Sequence, residues 1–290
     1  MSSRIAVVAP GAMGGMIAAR LVKKGATVLT SLSGRSAATK ARATQAGLRD
    51  ASDAELAAAD YFLSIVPPRD ALALAERMEG PLRAAKAKAI YVDLNATNVE
   101  SAAAIGRVIA RSGARYVDGC IIGPPGTLED EGPAVYLSGE MPGDVEVLCR
   151  YGLRGRSTGG PEGAASALKM AYGGLNKGIT GLAAAMAVAA VRAGAARGFV
   201  EEMDESQPLL LTKLEHTLPD MYAKAYRWDY EMEEVGRFAS ALPGVGKLYD
   251  GMAAHFTHLG KDWAGPRTDI GDIEVFLAEV QAHRKRKKEA

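Results

Sequence analysis

The strongest constraint on this chain lies near its start. There Ile5-Ala6-Val7-Val8-Ala9-Pro10-Gly11-Ala12-Met13-Gly14-Gly15 carries a short apolar, β-branched strand into a glycine-rich turn. The next residues, to about Lys24, include the small side chains Ala18 and Ala19 and read as a helix packed closely on a sheet. Strand, glycine turn and helix in that order make an anion site. Backbone N–H groups at the helix start face the anion, and the glycines let a pyrophosphate approach. The full G-x-G-x-x-G pattern is not met, because Ala9 stands at the first glycine. An ordinary strand–turn–helix is the competing reading. A second strand at Thr27–Thr30, directly after Gly25, favours a dinucleotide site with Gly11, Ala12, Met13 and Gly14 at the pyrophosphate.

The first half of the chain alternates. Strands are expected at 4–9, 27–30, 61–65, 89–93, 115–121 and 134–138, with helices near 13–24, 36–46, 71–79 and 99–111. That alternation predicts a mostly parallel sheet with helices on both faces. Val66-Pro67-Pro68 and Gly123-Pro124-Pro125-Gly126 fall at strand C-termini, where such sheets bind ligands. After Gly159-Gly160-Pro161 no strand is expected. A long helix from Glu162 to about Arg192, rich in Ala, Gly and Met, is expected to be covered on most faces, followed by helices at 196–205, 207–225, 228–240, 244–260 and 269–288. The fold class predicted is α/β: a Rossmann-like domain over 1–160, then an all-α domain over 161–290, joined by the long helix.

Bulk properties exclude several classes. A net charge of +1 gives no field to recruit nucleic acid or an anionic membrane, and the basic end His283 to Lys288 reads as a solvated tail. Only two cysteines occur, Cys120 and Cys149, without paired spacing, which suits a reducing cytoplasm. No metal site is expected, since His216, His255 and His258 show no ligand pattern. The start Met1-Ser2-Ser3-Arg4 lacks the apolar core of a signal peptide, and the apolar stretch Gly178 to Val191 is too short to span a bilayer.

The second strand leads into Val28-Leu29-Thr30-Ser31-Leu32-Ser33-Gly34-Arg35-Ser36. An NAD site usually has an acid there for the ribose 2′-OH, and none is present. Ser31, Ser33, Arg35 and Ser36 instead suit the adenosine 2′-phosphate of NADP, although Ser36 also fits a simple helix cap and Arg35 a solvent-facing residue.

Four segments then occur in order: the first turn, Ser64-Ile65-Val66-Pro67-Pro68, Asp93-Leu94-Asn95-Ala96-Thr97, and Gly160-Pro161-Glu162-Gly163 leading to Ala167-Leu168-Lys169-Met170. Together they resemble the β-hydroxyacid dehydrogenase family, which includes 3-hydroxyisobutyrate dehydrogenase, tartronate semialdehyde reductase and 6-phosphogluconate dehydrogenase. The chain looks like a divergent branch, with the resemblance looser in the final helices. It implies that Val66 and Pro67 lie beside the nicotinamide, that Asn95 touches cofactor and substrate, and that Lys169 is the acid–base residue. Local chemistry agrees, because an ammonium can bond to the oxygen that gains charge when a carbonyl receives hydride and can deliver a proton to it. Glu162, Ser166, Lys169, Tyr172, Gly173, Asn176 and Thr180 recur at helical spacing, a polar stripe on an otherwise apolar helix.

Departures from the family pattern bear on the substrate. Tyr172 and Gly173 stand where asparagines are usual, with Asn176 one turn on. Tyr172 serves either as a second proton donor or as a packing residue. Ile122, Gly123 and Pro124 stand where the family carries a Ser-Gly-Gly carboxylate turn, which points to a bulkier or less polar substrate bound near Ile122, Gly123, Asn95 and Asn176. For Trp228 to Glu234, a pocket wall and an amphipathic helix with a solvated acidic face are equally open. The function expected is an NADP-dependent oxidoreductase, working as a homodimer, that moves hydride between nicotinamide and a small carbonyl or alcohol. An imine reductase-like enzyme and a non-catalytic NADP-binding scaffold are the alternatives.

Overall fold

The computed structural model describes residues 3–140 and 143–289; Met1 and Ser2, part of the expected leaderless start, lie outside them. The chain divides into two compact units, the first ending at Met170 and the second beginning at Ala171.

The first unit is built on eight strands: β1 (Arg4–Val8), β2 (Thr27–Thr30), β3 (Arg49–Asp50), β4 (Tyr61–Ser64), β5 (Ile90–Asp93), β6 (Tyr116–Ile122), β7 (Ala134–Ser138) and β8 (Arg154–Ser157). Their order across the sheet is β3-β2-β1-β4-β5-β6-β7-β8. The first six are mutually parallel, β7 runs antiparallel to β6, and β8 is parallel to β7. Between them lie α1 (Ala12–Lys23), α2 (Ala37–Gln45), α3 (Asp53–Ala57), α4 (Ala71–Ala84), α5 (Val99–Ser112) and α6 (Asp144–Arg150). Strand side chains alternate between two cores. Ile5, Val7, Val28, Leu63 and Val92 pack with α1, while Ala6, Val8, Phe62 and Tyr91 pack with α4 and α5. The order reverses between β1 and β4, so the crevice at their carboxyl ends is the switch point where ligands bind in such sheets.

Several elements differ from the sequence reading. β3 and β8 were not expected, because they are short polar edge strands without an apolar run. The capping box of Ser52 and Glu55 that starts α3 was legible in principle. Helix α4 passes through Pro81 rather than stopping before it.

The second unit is helical throughout its described residues. Helix α7 (Ala164–Arg192) runs into it from the first unit, and α8 (Ala196–Ser206), α9 (Pro208–Tyr222), α10 (Trp228–Phe238), α11 (Val245–Ala264) and α12 (Thr268–Glu289) complete it. One face of α7 is glycine-lined. A Cβ at Gly174 would crowd Val235 and Tyr249, and one at Gly181 would crowd Phe256, so small residues let α10 and α11 approach closely. Trp228 packs edge-on to Phe256 at 5.1 Å. Trp228, Met232 and Val235 are buried, as the inner face of an amphipathic α10.

One expectation for α7 needs correction. Leu175, Leu182 and Met186, at helical spacing, stay exposed, so the helix is not covered on most faces within one chain. At 29 residues, it is also the one helix among the described residues long and apolar enough, by length and composition, to cross a membrane. Gly178 to Val191 forms the C-terminal half of this helix.

Candidate active site

The carboxyl ends of β1, β4, β5 and β6 bring the first-unit candidate residues to one edge of the sheet. Helix α1 starts after Gly11 with no side-chain cap and no acid in its first turn, which leaves its N-terminal dipole uncompensated by the chain. Gly14 allows the turn to close, since a Cβ there would collide with the Ala9 carbonyl oxygen. Nothing lies within 4 Å of a Cβ position at Gly11, so the space above the turn is open. These features fit a pyrophosphate held by backbone amides from Gly11 to Gly14.

At the end of β2, Ser31 is buried, and its hydroxyl accepts a hydrogen bond from Arg77 at 3.2 Å. Ser36 caps α2 by accepting from the Thr39 amide at 3.3 Å, so its hydroxyl is partly committed to the helix. Ser33 and Arg35 are exposed. Arg35, Val66 and Pro67 line a hollow of about 270 Å³ together with Ala73 and Arg77 of α4. Arg77 was not singled out from the sequence, where it is one cation on the exposed face of a helix; only the fold brings it to β2.

Asn95 is 3% exposed, and its amide is fully engaged. Its Oδ1 accepts from the Val66 amide at 2.7 Å, while its Nδ2 donates to Ser64 Oγ at 2.8 Å and to Asp93 Oδ1. Asn95 therefore pins the Val66-Pro67 segment. Burial pushes the Asp93 carboxyl up to about 7; the Asn95 backbone hydrogen bond opposes this, and the Asp118 charge adds to it.

Lys169 owes its position to a carboxylate from the sheet. Asp118 of β6 is fully buried and stands at the N-terminus of α7. It accepts from the Ala165 and Ser166 amides at 3.0 and 3.1 Å and from the Ser166 and Ser138 hydroxyls at 2.6 Å each. An anion on exposed helix amides is favourable on both hydrogen-bond and dipole grounds. One turn further on, Lys169 is part-buried and donates from Nζ to the Ile121 carbonyl at 2.7 Å. Its ammonium thus lies at the carboxyl end of β6, next to Ile122. Burial pushes the neighbouring Cys120 thiol up to about 12, against the pull of Lys169, so this cysteine is an uncharged packing residue.

Ile122 is half-buried and Gly123 exposed at the head of the β6–β7 loop. Arg20 of α1 straps this loop. Its guanidinium donates to the Asp130 carbonyl at 2.7 Å and also reaches the Thr127 carbonyl and the Asp130 carboxylate. In the second unit, Tyr172 is half-exposed, and the Asn176 amide bridges the Tyr172 carbonyl at 2.8 Å and Lys213 Nζ at 2.6 Å. Lys177 pairs with Glu231 at 2.8 Å and lies over the Trp228 ring. Among the described residues, no group of three or more His, Cys, Asp or Glu is arranged to hold a metal ion.

Comparison with known proteins bears on the first unit and on the fold. Residues 4–141 match the NAD-binding domain of 6-phosphogluconate dehydrogenase, and residues 190–259 match a domain of unknown function, DUF1932. Among solved structures, the conserved protein MTH1747 of unknown function, noted for its structural similarity to 3-hydroxyacid dehydrogenases, is 27% identical with a TM-score of 0.72, over 90% of this chain and 98% of its own. The 3-hydroxyisobutyrate dehydrogenase of Mycobacterium tuberculosis with L-serine is 16% identical with a TM-score of 0.70, over 98% of this chain and 100% of its own. An imine reductase variant from Myxococcus stipitatus in complex with NAD+ is 19% identical with a TM-score of 0.54, over 96% and 100%. The last two likenesses concern the fold. The curated proteins yield no match. The first unit is thus an NAD(P)-binding domain. Over nearly its whole length the chain is similar in fold to proteins of the β-hydroxyacid dehydrogenase superfamily.

Proposed function

We propose that this protein is an NADP-dependent dehydrogenase or reductase that interconverts a small carbonyl compound and its alcohol, with Lys169 as the acid–base residue. The observation that carries this reading is the Lys169 ammonium bonded to the Ile121 carbonyl at the carboxyl edge of the sheet, the same edge that presents the glycine turn. A bound nicotinamide supplies or accepts the hydride. Lys169 does the complementary work on the proton. The Ile121 carbonyl orients this ammonium, and an ammonium is a donor suited to a substrate oxygen. In reduction it donates a proton to the developing alkoxide; in oxidation the neutral amine takes the proton from the hydroxyl.

The other residues bind and orient. Gly11, Ala12, Met13 and Gly14 hold the pyrophosphate. Val66 and Pro67, pinned by Asn95, wall the cofactor, and Asn95 positions them more than it touches ligand. Arg35, with Ser31, Ser33 and Ser36, favours a 2′-phosphate, because the segment that follows β2, Ser31 to Ser36, carries no acid of its own to hold a free ribose hydroxyl. Ile122 and Gly123 border the substrate. Ile122 in place of a hydroxyl side chain favours a less polar substrate than a short hydroxyacid.

The exposed face of Leu175, Leu182 and Met186 supports a homodimer, since a second copy of α7 would cover it. A reduced buried Cys120 is consistent with a cytoplasmic setting.

The test is a panel of aldehydes, ketones, imines and alcohols with NADPH and NADP+, followed at the nicotinamide absorbance. Turnover of carbonyls or alcohols supports the proposal. Turnover confined to imines would move it to the imine reductases, and NADPH binding without any turnover would leave only a scaffold.

A further inference from the structure

We infer that Arg77 is a second recognition residue for the adenosine half of the cofactor, that Asp53 holds it in place, and that Arg35 and Arg77 flank one purine-binding hollow. The inference rests on the dinucleotide reading above and adds to it two residues on helices that do not belong to the glycine turn.

Three elements meet at this guanidinium. Arg77 leaves the second turn of α4, and its Nε and Nη2 donate to the two carboxylate oxygens of Asp53 at 2.8 and 2.5 Å. Asp53 is the first residue of α3, directly after its Ser52 cap. The same Nη2 donates to Ser31 Oγ at the end of β2, at 3.2 Å. The twofold contact with one carboxylate fixes the guanidinium plane as well as its position, which a single contact would not do. Nε and Nη2 are thereby occupied, and the two N–H groups of Nη1 are left over by this arrangement.

The hollow that Arg77 borders holds about 270 Å³, with Val66, Pro67 and Ala73 as apolar walls and Arg35 across from α4; Asp70 also borders it. That is slightly below the range for a whole drug-sized ligand and suits a single flat ring system with its attached sugar. A planar guanidinium, braced from behind, offers a purine both a stacking face and hydrogen-bond donors. Because Asp53 compensates its charge, Arg77 contributes through the ring, whereas the uncompensated Arg35 contributes through the 2′-phosphate. The two arginines therefore separate in their selectivity.

Titration calorimetry with 5′-ADP, 2′,5′-ADP and nicotinamide mononucleotide separates them. Arg77→Ala should weaken 5′-ADP and 2′,5′-ADP alike, by roughly three- to thirty-fold, and leave the mononucleotide unchanged. Arg77→Lys, which keeps the charge and loses the plane, should resemble the alanine variant. Asp53→Asn should give a smaller loss on the same two ligands. Arg35→Ala should weaken 2′,5′-ADP much more than 5′-ADP. Unchanged adenine-nucleotide affinity in both folded Arg77 variants, or a loss confined to the 2′-phosphorylated ligand, overturns the inference. A wild-type protein that binds none of the three overturns the dinucleotide reading itself.

Discussion

Removing Asp118 should uncouple Lys169, the proposed acid–base residue, from the sheet. In Asp118→Ala, the amides of Ala165 and Ser166 and the hydroxyls of Ser138 and Ser166 lose the carboxylate they share in a site closed to water. The hydroxyls can turn, and Ser138 Oγ already accepts from the Ala165 amide at 3.0 Å, so that amide keeps a partner. The Ser166 amide has no such substitute. An orphaned buried donor costs about 1–3 kcal/mol, and loss of an anion from a helix N-terminus costs about 1 kcal/mol more. Relief of the repulsion between Asp118 and Asp93 gives a little back. The net expectation is roughly 2–4 kcal/mol of lost stability in the first unit. Asp118→Asn, which keeps one acceptor oxygen, should lose about half of that. Urea unfolding followed by far-ultraviolet circular dichroism reads the stability, and calorimetry with NADPH reads the cofactor site. Turnover should fall with stability held by low temperature, because the first turn of α7 loses its anchor one turn before Lys169. NADPH affinity should hold, since the glycine turn is on another element. Wild-type stability and wild-type turnover in the alanine variant would refute this chain of reasoning.

Three further outcomes are expected. Gly14→Ala should destabilise the first unit by about 1–3 kcal/mol and weaken NADPH, because the new methyl group meets the Ala9 carbonyl oxygen; unchanged melting and affinity would contradict it. Asp93 predicts a pH dependence. Its folded carboxyl titrates near 7, above its unfolded value near 4, so its contribution to stability is fully present below about pH 4 and is lost as pH rises through about 7. Asp93→Asn should flatten that part of the urea-midpoint profile, and an unchanged slope would count against it. Leu182→Glu should convert a dimer to a monomer by light scattering at micromolar concentration, because Leu182 is 58% exposed on the open face of α7; a wild-type protein that is already monomeric would remove the dimer.

Much of this fold was legible because its signals are local. The apolar runs of β1, β4 and β5, the glycine turn before α1 and the small residues of α7 each announce themselves within a dozen residues. β3 and β8 escaped because edge strands need no apolar face. The candidate lysine was legible through its spacing after Gly160-Pro161-Glu162-Gly163. What holds it was not: Asp118 lies 48 residues before Ser166 in the chain, and an aspartate inside a strand carries no local mark of a helix cap. Asn95 is a different case. Its motif suggested a ligand contact, while its amide is spent between Ser64, Asp93 and Val66. Arg20 and Arg77 were invisible for the same reason as Asp118, since their partners come from other elements.

The most direct test is the turnover of Lys169→Ala beside its affinity for NADPH. If the amine on Ile121 moves the substrate proton, turnover should drop by roughly 10²–10⁴-fold, while the NADPH dissociation constant stays within about twofold of wild type. Near-wild-type turnover in a folded variant that still binds NADPH would contradict an acid–base role for this lysine.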